Sequence, residues 1–332
     1  MFLPHQFVGQ FVNQRFDQDV RSHFFKGMEF AAPVGDPGWF GPGSAVWHVH
    51  SHMHALIFGL QCAAYMERLD PSIYWMGMHH SRLVKRDPKT GTAIPVIDPK
   101  GASVRLGHSV AFFIGTAYGS TETAERLAQS VRAMHHTIKG TRPDGARYDA
   151  DDPDWLRWNY ATVVWGLATA HELYHPNPLR GNKIDRYYGE FVRVGHALGG
   201  TDLPTTKAET LECLESYLPR LAVTHGTAMS TGPNLGMPHA AIDWAIRDTM
   251  PRWAKQLIQH RDPSAVERIA RRTAVWSIIN GLHIAAGRAP EFRQAQQRVK
   301  AGTSVPHTLP KYRLGDDPVR SRAEVERSFA EA

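Results

Sequence analysis

The stretch that most limits the fold is DWLRWNYATVVWGLATAHELY, residues 154 to 174, which stays apolar on almost every side when wound at the helical period. A helix of that kind has no polar face to offer solvent, so other helices must cover it. Asp152 and Pro153 supply the cap and the first-turn proline that start it. It is expected at the centre of the fold, with Trp158, Val164 and Trp165 as candidates to floor a pocket.

The rest of the chain keeps the same period. Residues 183 to 198 place Ile184, Tyr187, Tyr188, Phe191, Val192 and Leu198 on one face. Thr206 and Glu209 make a capping box, and Leu211, Leu214, Leu218 and Leu221 follow at helical steps. Further helices are expected at 239 to 259, bent near Pro251, and at 264 to 287, started by Asp262 and Pro263. Residues 31 to 43 and 226 to 238 are glycine and proline loops, and KRDPKTGTAIPVIDPKG, 85 to 101, is a loop or short hairpin bounded by Asp-Pro pairs. No alternating strands or repeats stand out. The predicted fold is all-α: one multi-helix domain over residues 1 to 300 with globin-like packing, and a surface tail over 301 to 332 carrying one short helix. Residues 6 to 25 read as an amphipathic helix that packs on the domain or joins copies into a homo-oligomer; both readings stand.

Composition narrows the function. A chain of 332 residues, 42% hydrophobic, builds a core without staples, and its two cysteines, Cys62 and Cys213, sit in helical surroundings that fit a reducing compartment. The net charge of +6 is spread along the chain rather than bunched, which argues against a nucleic-acid partner. Neither a secretory leader nor a run of about 18 apolar residues is found, so no membrane span and a cytoplasmic location are expected.

Two helices between Arg105 and Gly140 carry polar groups where apolar ones would be cheaper. In the second, Ala124, Leu127, Ala128, Val131, Met134 and Ile138 form one stripe; His135 falls inside it and His136 on its polar edge. In the first, Arg105, His108, Ser109, Phe112 and Thr116 recur along one face. Burying an arginine and an imidazole costs several kcal/mol, roughly, unless each is paired or bound to a ligand. A haem between the two helices would satisfy both. A lone histidine on an apolar face is, by the same token, more often a hydrogen-bonded core residue.

The run GDPGWFGPGSAVWHVH, then HHS at 79 to 81, RLGHS at 105 to 109, AYGSTETAE, VRAMHHTIKG, YDADDPDWLRW and DRYYGEF resemble, in that order, the latex-clearing-protein and mycophenolic-acid oxygenase family (MpaB-type, rubber oxygenase catalytic domain). The resemblance covers residues 30 to 225. It implies an all-helical domain that binds haem b and uses dioxygen, or peroxide, to oxidise or cleave a small apolar or isoprenoid-like substrate. By the same resemblance His135 is the proximal iron ligand, and Arg105 and Ser109, the latter in place of a threonine, are distal groups. His108 stands where rubber-cleaving members have a lysine and is a distal ligand or acid-base group, and His80 is a cofactor contact. The family's histidine before a proline is here Asp70, and Asn159 and Tyr160 replace the histidine expected after Trp158.

Two further histidine motifs compete. His48, His50, His52 and His54 alternate in WHVHSHMH; they are read as pocket-lining or propionate-contacting residues rather than metal ligands, because few carboxylates or cysteines are near in sequence. His171, Glu172 and His175 spell HELYH, a zinc-hydrolase pattern in which Glu172 would activate water and Glu190 would be the third ligand. Pro176 ends that helix at once, which argues against it. Three classes therefore stay open: haem oxygenase or peroxidase, zinc hydrolase, and a haem-binding protein without turnover.

Overall fold

The computed structural model describes residues 22–224 and 239–302 and is predominantly helical, as expected. In chain order the main elements begin with α1 (Ala45–His50), α2 (Met53–Glu67) and α3 (Pro71–His80). A hairpin of β1 (Val84–Arg86) and β2 (Ala93–Ile97) leads into α4 (Pro99–Tyr118) and α5 (Thr121–His136). A second hairpin, β3 (Lys139–Thr141) with β4 (Arg147–Asp149), precedes α6 (Pro153–Tyr174), α7 (Asn182–Ala197) and α8 (Lys207–Ser216). α9 (His239–Asp248), α10 (Arg252–Leu257), α11 (Ala265–Ala286) and α12 (Pro290–Ala301) complete the described chain. The helix expected over 6 to 25 (beyond the single turn Ser22–Phe24), the loop at 226 to 238 and the tail beyond 302 lie outside the described residues.

Three helices begin the same way. Asp70, Asp98 and Asp152 each precede a proline at the first helical position, and each carboxylate accepts backbone N–H groups of the first turn. The aspartate satisfies orphan donors and the proline presets the backbone angle, so the start is encoded within a dipeptide. Ser120 caps α5 by accepting from the Thr123 N–H. Glycine is a common helix stop, but Gly140 does not end α5. The helix ends at His136, where the Thr137 N–H takes the His135 and Met134 carbonyls, and Gly140 pairs with Tyr148 in the second hairpin.

α6 is central, as its all-round apolar sequence requires, and α2 is its main partner. The two cross where glycine meets glycine: a Cβ on Gly166 would stand 2.6 Å from the Gly59 carbonyl oxygen, and one on Gly59 would stand 2.9 Å from the Leu167 Cα. Only the absence of side chains lets the backbones approach this closely. One core spreads from α2 over α1, α4, α5, α7 and α12; a second lies between α2, α6, α8 and α9 to α11, where Trp158 and Trp165 are buried. A small third cluster joins Met76, Tyr148, Trp155 and Leu156 under the second hairpin.

Arg298 of α12 ties distant parts together. It is 1% exposed and donates to four backbone carbonyls, those of Phe30, Asp36, Tyr118 and Gly119, at 2.7 to 3.1 Å. Two of these are the last carbonyls of α4, the negative end of a helix, which suits a cation.

Candidate functional site

His135 closes α5 on its buried side, while exposed His136 bonds Asp151 through Nδ1 at 2.6 Å. The stripe reading thus holds for the histidine pair and for Ala124 and Ala128, although Met134 is 41% exposed. The His135 ring meets Trp155 edge to face at 5.6 Å, and its Nδ1 is buried with no hydrogen-bond partner. Burial, reinforced by the Arg105 charge, pushes the ring's pKa down to about 4. The imidazole is therefore neutral at pH 7 and keeps a lone pair for a ligand.

Arg105, His108 and Ser109 sit differently from the expectation of a buried polar stripe. The stretch of α4 that carries them is open: Arg105 and His108 are exposed and Ser109 is half-buried, between buried Gly101 and Ala102 at the start of the helix and the packed part from Val110 onward. Periodicity along α4 implies burial over its whole length, but the polar residues fall on an open stretch, 103 to 109, between buried parts of the helix. His108 packs edge to face on Phe24 at 4.9 Å, near His23, and Ser109 Oγ donates to the Arg105 carbonyl of its own helix. Arg105 is the shared neighbour, because its charge acts on His135, on His108 and on Glu67 of α2.

Glu67 and Asn159 escaped the sequence reading. Glu67 ends the apolar helix α2, its carboxyl accepts from Asn159 Nδ2 at 2.9 Å, and burial raises its pKa against the pull of Arg105 and Arg68. A lone acid closing an apolar helix was the available signal. The departure noted at Asn159 acquires a role, as the amide that orients this carboxyl. The other departure, Asp70, caps α3 and takes the Arg220 guanidinium at 2.8 Å. His80 is exposed beside the second hairpin: its Nε2 lies 3.2 Å from the Lys139 carbonyl oxygen and 3.1 Å from Tyr148 Oη, which also lies 2.6 Å from His79 Nδ1. Trp155 and Tyr148 share one cluster, so His80 stands at the same end of the molecule as His135.

The HELYH motif lies at the opposite end of α6. Trp155 and His171 are 16 residues apart on this helix, about 24 Å at about 1.5 Å per residue. Its glutamate does not face the histidines: Glu172 carries the Lys207 ammonium at 2.6 Å. Glu190, the expected third ligand, instead accepts from the Val46 N–H and the Arg186 guanidinium. The histidine brought to the pair is His48 of α1. The alternating histidines of WHVHSHMH do not share a strand or one helix, because the chain breaks at Ser51 and His52 becomes the cap of α2.

Fold and site together define an all-α protein with an inward, neutral imidazole at the end of α5, an arginine whose charge acts on it, and a half-buried carboxyl on which the same arginine acts. The chain belongs to the family described as ER-bound oxygenase mpaB/B'/Rubber oxygenase, catalytic domain, whose model matches residues 47–278, from α1 into α11. The resemblance seen in the sequence is thereby borne out, and with it an oxygenase-like function. Comparisons with curated proteins and with solved structures find no match. Among the described residues no helix is long and apolar enough to cross a membrane.

Proposed function

We propose that the chain is a haem b-dependent oxygenase that oxidises a largely apolar substrate, with His135 as the protein ligand to iron. The observation that carries this reading is the orphaned, buried Nδ1 of His135 in a chain of an oxygenase family. A buried ring with an unsatisfied nitrogen is costly unless something binds the imidazole. The residues present fit the group: His135 would hold it, while Arg105 and His80 would be its polar contacts. Haem, when bound, supplies an iron centre able to activate dioxygen.

The chain's own residues do the remaining work. The His135 ring stays neutral down to about pH 4, so no proton competes for its lone pair near neutrality. Arg105 brings a fixed positive charge to the region, where developing negative charge is stabilised by groups already in place. Glu67, its carboxyl raised in pKa and oriented by Asn159, is suited to hold a proton at its free oxygen and release it within the site. His108 and Ser109 mark the open approach along the exposed stretch of α4.

The test is the visible spectrum of protein reconstituted with haem b. A Soret band is expected for the wild type and for His171→Ala, and its loss for His135→Ala in a chain that keeps its helical circular dichroism. A Soret band unchanged in His135→Ala sinks the assignment. Dioxygen uptake with isoprenoid and other apolar substrates then separates an oxygenase from a haem carrier. The hydrolase alternative has lost its general base, because Glu172 is engaged by Lys207.

A further inference from the structure

We propose that His48, His171 and His175 form a binding site for a divalent transition-metal ion, separate from the His135 site and independent of the function proposed above. One ring nitrogen from each lies within 4.8 Å of the others. The ring centroids stand 4.5, 4.7 and 5.3 Å apart, so three imidazoles converge on one point from two helices. His171 is 1% exposed and His175 8% exposed, and Nδ1 of His171 is buried without a partner. The group consists of imidazoles, with no carboxylate or thiolate among its members. Three nitrogen donors suit zinc and its borderline neighbours cobalt, nickel and copper rather than calcium or magnesium.

The backbone that follows α6 fixes the tautomers. His48 Nε2 donates to the Asn177 carbonyl at 2.8 Å, which puts the ring's lone pair on Nδ1. His171 Nε2 accepts from the Leu179 N–H at 2.9 Å, and His175 Nδ1 accepts from the Asn177 N–H at 2.9 Å. Each of the latter two rings, when neutral, therefore carries its proton on the nitrogen that does not accept the backbone amide, Nδ1 of His171 and Nε2 of His175. Coordination through His171 Nδ1 and His175 Nε2 moves each proton to the other nitrogen of the same ring, with no net proton released, and breaks the two backbone bonds. Metal uptake is thus coupled to release of the Asn177 and Leu179 amides.

The experiment uses the full chain without an affinity tag. It is stripped with a chelator, loaded with zinc chloride at pH 7.5 and desalted; zinc is then counted by mass spectrometry. One equivalent is expected to remain with the wild type and with His135→Ala. His171→Gln and His175→Asn each keep an acceptor for the backbone N–H but offer no imidazole, and both are expected to retain less than a tenth of an equivalent. Zinc should also speed amide exchange at Asn177 and Leu179 in the wild type and in His135→Ala, but not in His171→Gln or His175→Asn. If the metal-free variants melt within a few degrees of the metal-free wild type, loss of zinc reports the site and not misfolding. Absence of retained zinc in the wild type, or equal retention in both variants, overturns the proposal and leaves the rings as a clasp for the loop.

Discussion

Replacing Gly166 by alanine tests the idea that glycine contact between α2 and α6 sets the distance between the two walls of the site. The added methyl would stand 2.6 Å from the Gly59 carbonyl oxygen and 2.8 Å from the Ala63 nitrogen, both backbone atoms that cannot swing aside. The helices must part by about half an ångström or more, and overpacking against two backbone atoms falls in the upper part of the usual range, roughly 2–3 kcal/mol. Alanine returns about 1 kcal/mol through its higher helix propensity. The net is a loss of about 1–2 kcal/mol, a fall in Tm of a few degrees for a chain of this size. Gly281 of α11 is the control, since a Cβ there meets nothing within 4 Å among the described residues, and Gly281→Ala should raise Tm by about 1–2 °C through propensity alone. Calorimetry on the two variants therefore expects opposite signs. Because Glu67 and Asn159 lie further along the same two helices, Gly166→Ala should also loosen their 2.9 Å hydrogen bond. Gly166→Ala as stable as wild type, or stabilised like Gly281→Ala, would refute the close-approach argument.

Arg298→Met keeps the length of the side chain but strands four carbonyls, three of them in buried hydrogen bonds, so denaturant unfolding should show a loss of about 3–5 kcal/mol; a loss below about 1 kcal/mol would mean that water reaches those groups. The pKa values of His54 and His283 are both held near 4 by burial first and neighbouring imidazoles second. Their folded values lie below the unfolded value near 6.5, so the unfolded chain takes up protons first. Their stabilising effect is complete above about pH 6.5 and is lost progressively as pH falls toward 4. Melting temperature should decline over that window, and a flat profile from pH 7 to 4.5 would show that these rings are not buried as neutral species.

The sequence by itself determined the elements and their inward faces. A cap and a proline are neighbours along the chain, so Asp70, Asp98 and Asp152 announce their helices locally, and the 3.6-residue period places His135 inside and His136 outside without reference to any partner. Periodicity says which side of a helix is covered but not how far along, so the open stretch of α4 around Arg105 and His108 lies beyond it. What lies opposite a buried group was decided only by the tertiary structure. Glu67 meets Asn159, His48 meets His171 and His175, and Arg298 reaches Phe30 across a separation of 268 residues. Those pairings depend on the crossing of α2 with α6 and on the docking of α12, which are set by the shapes of whole helix faces and leave no short-range signature in the chain.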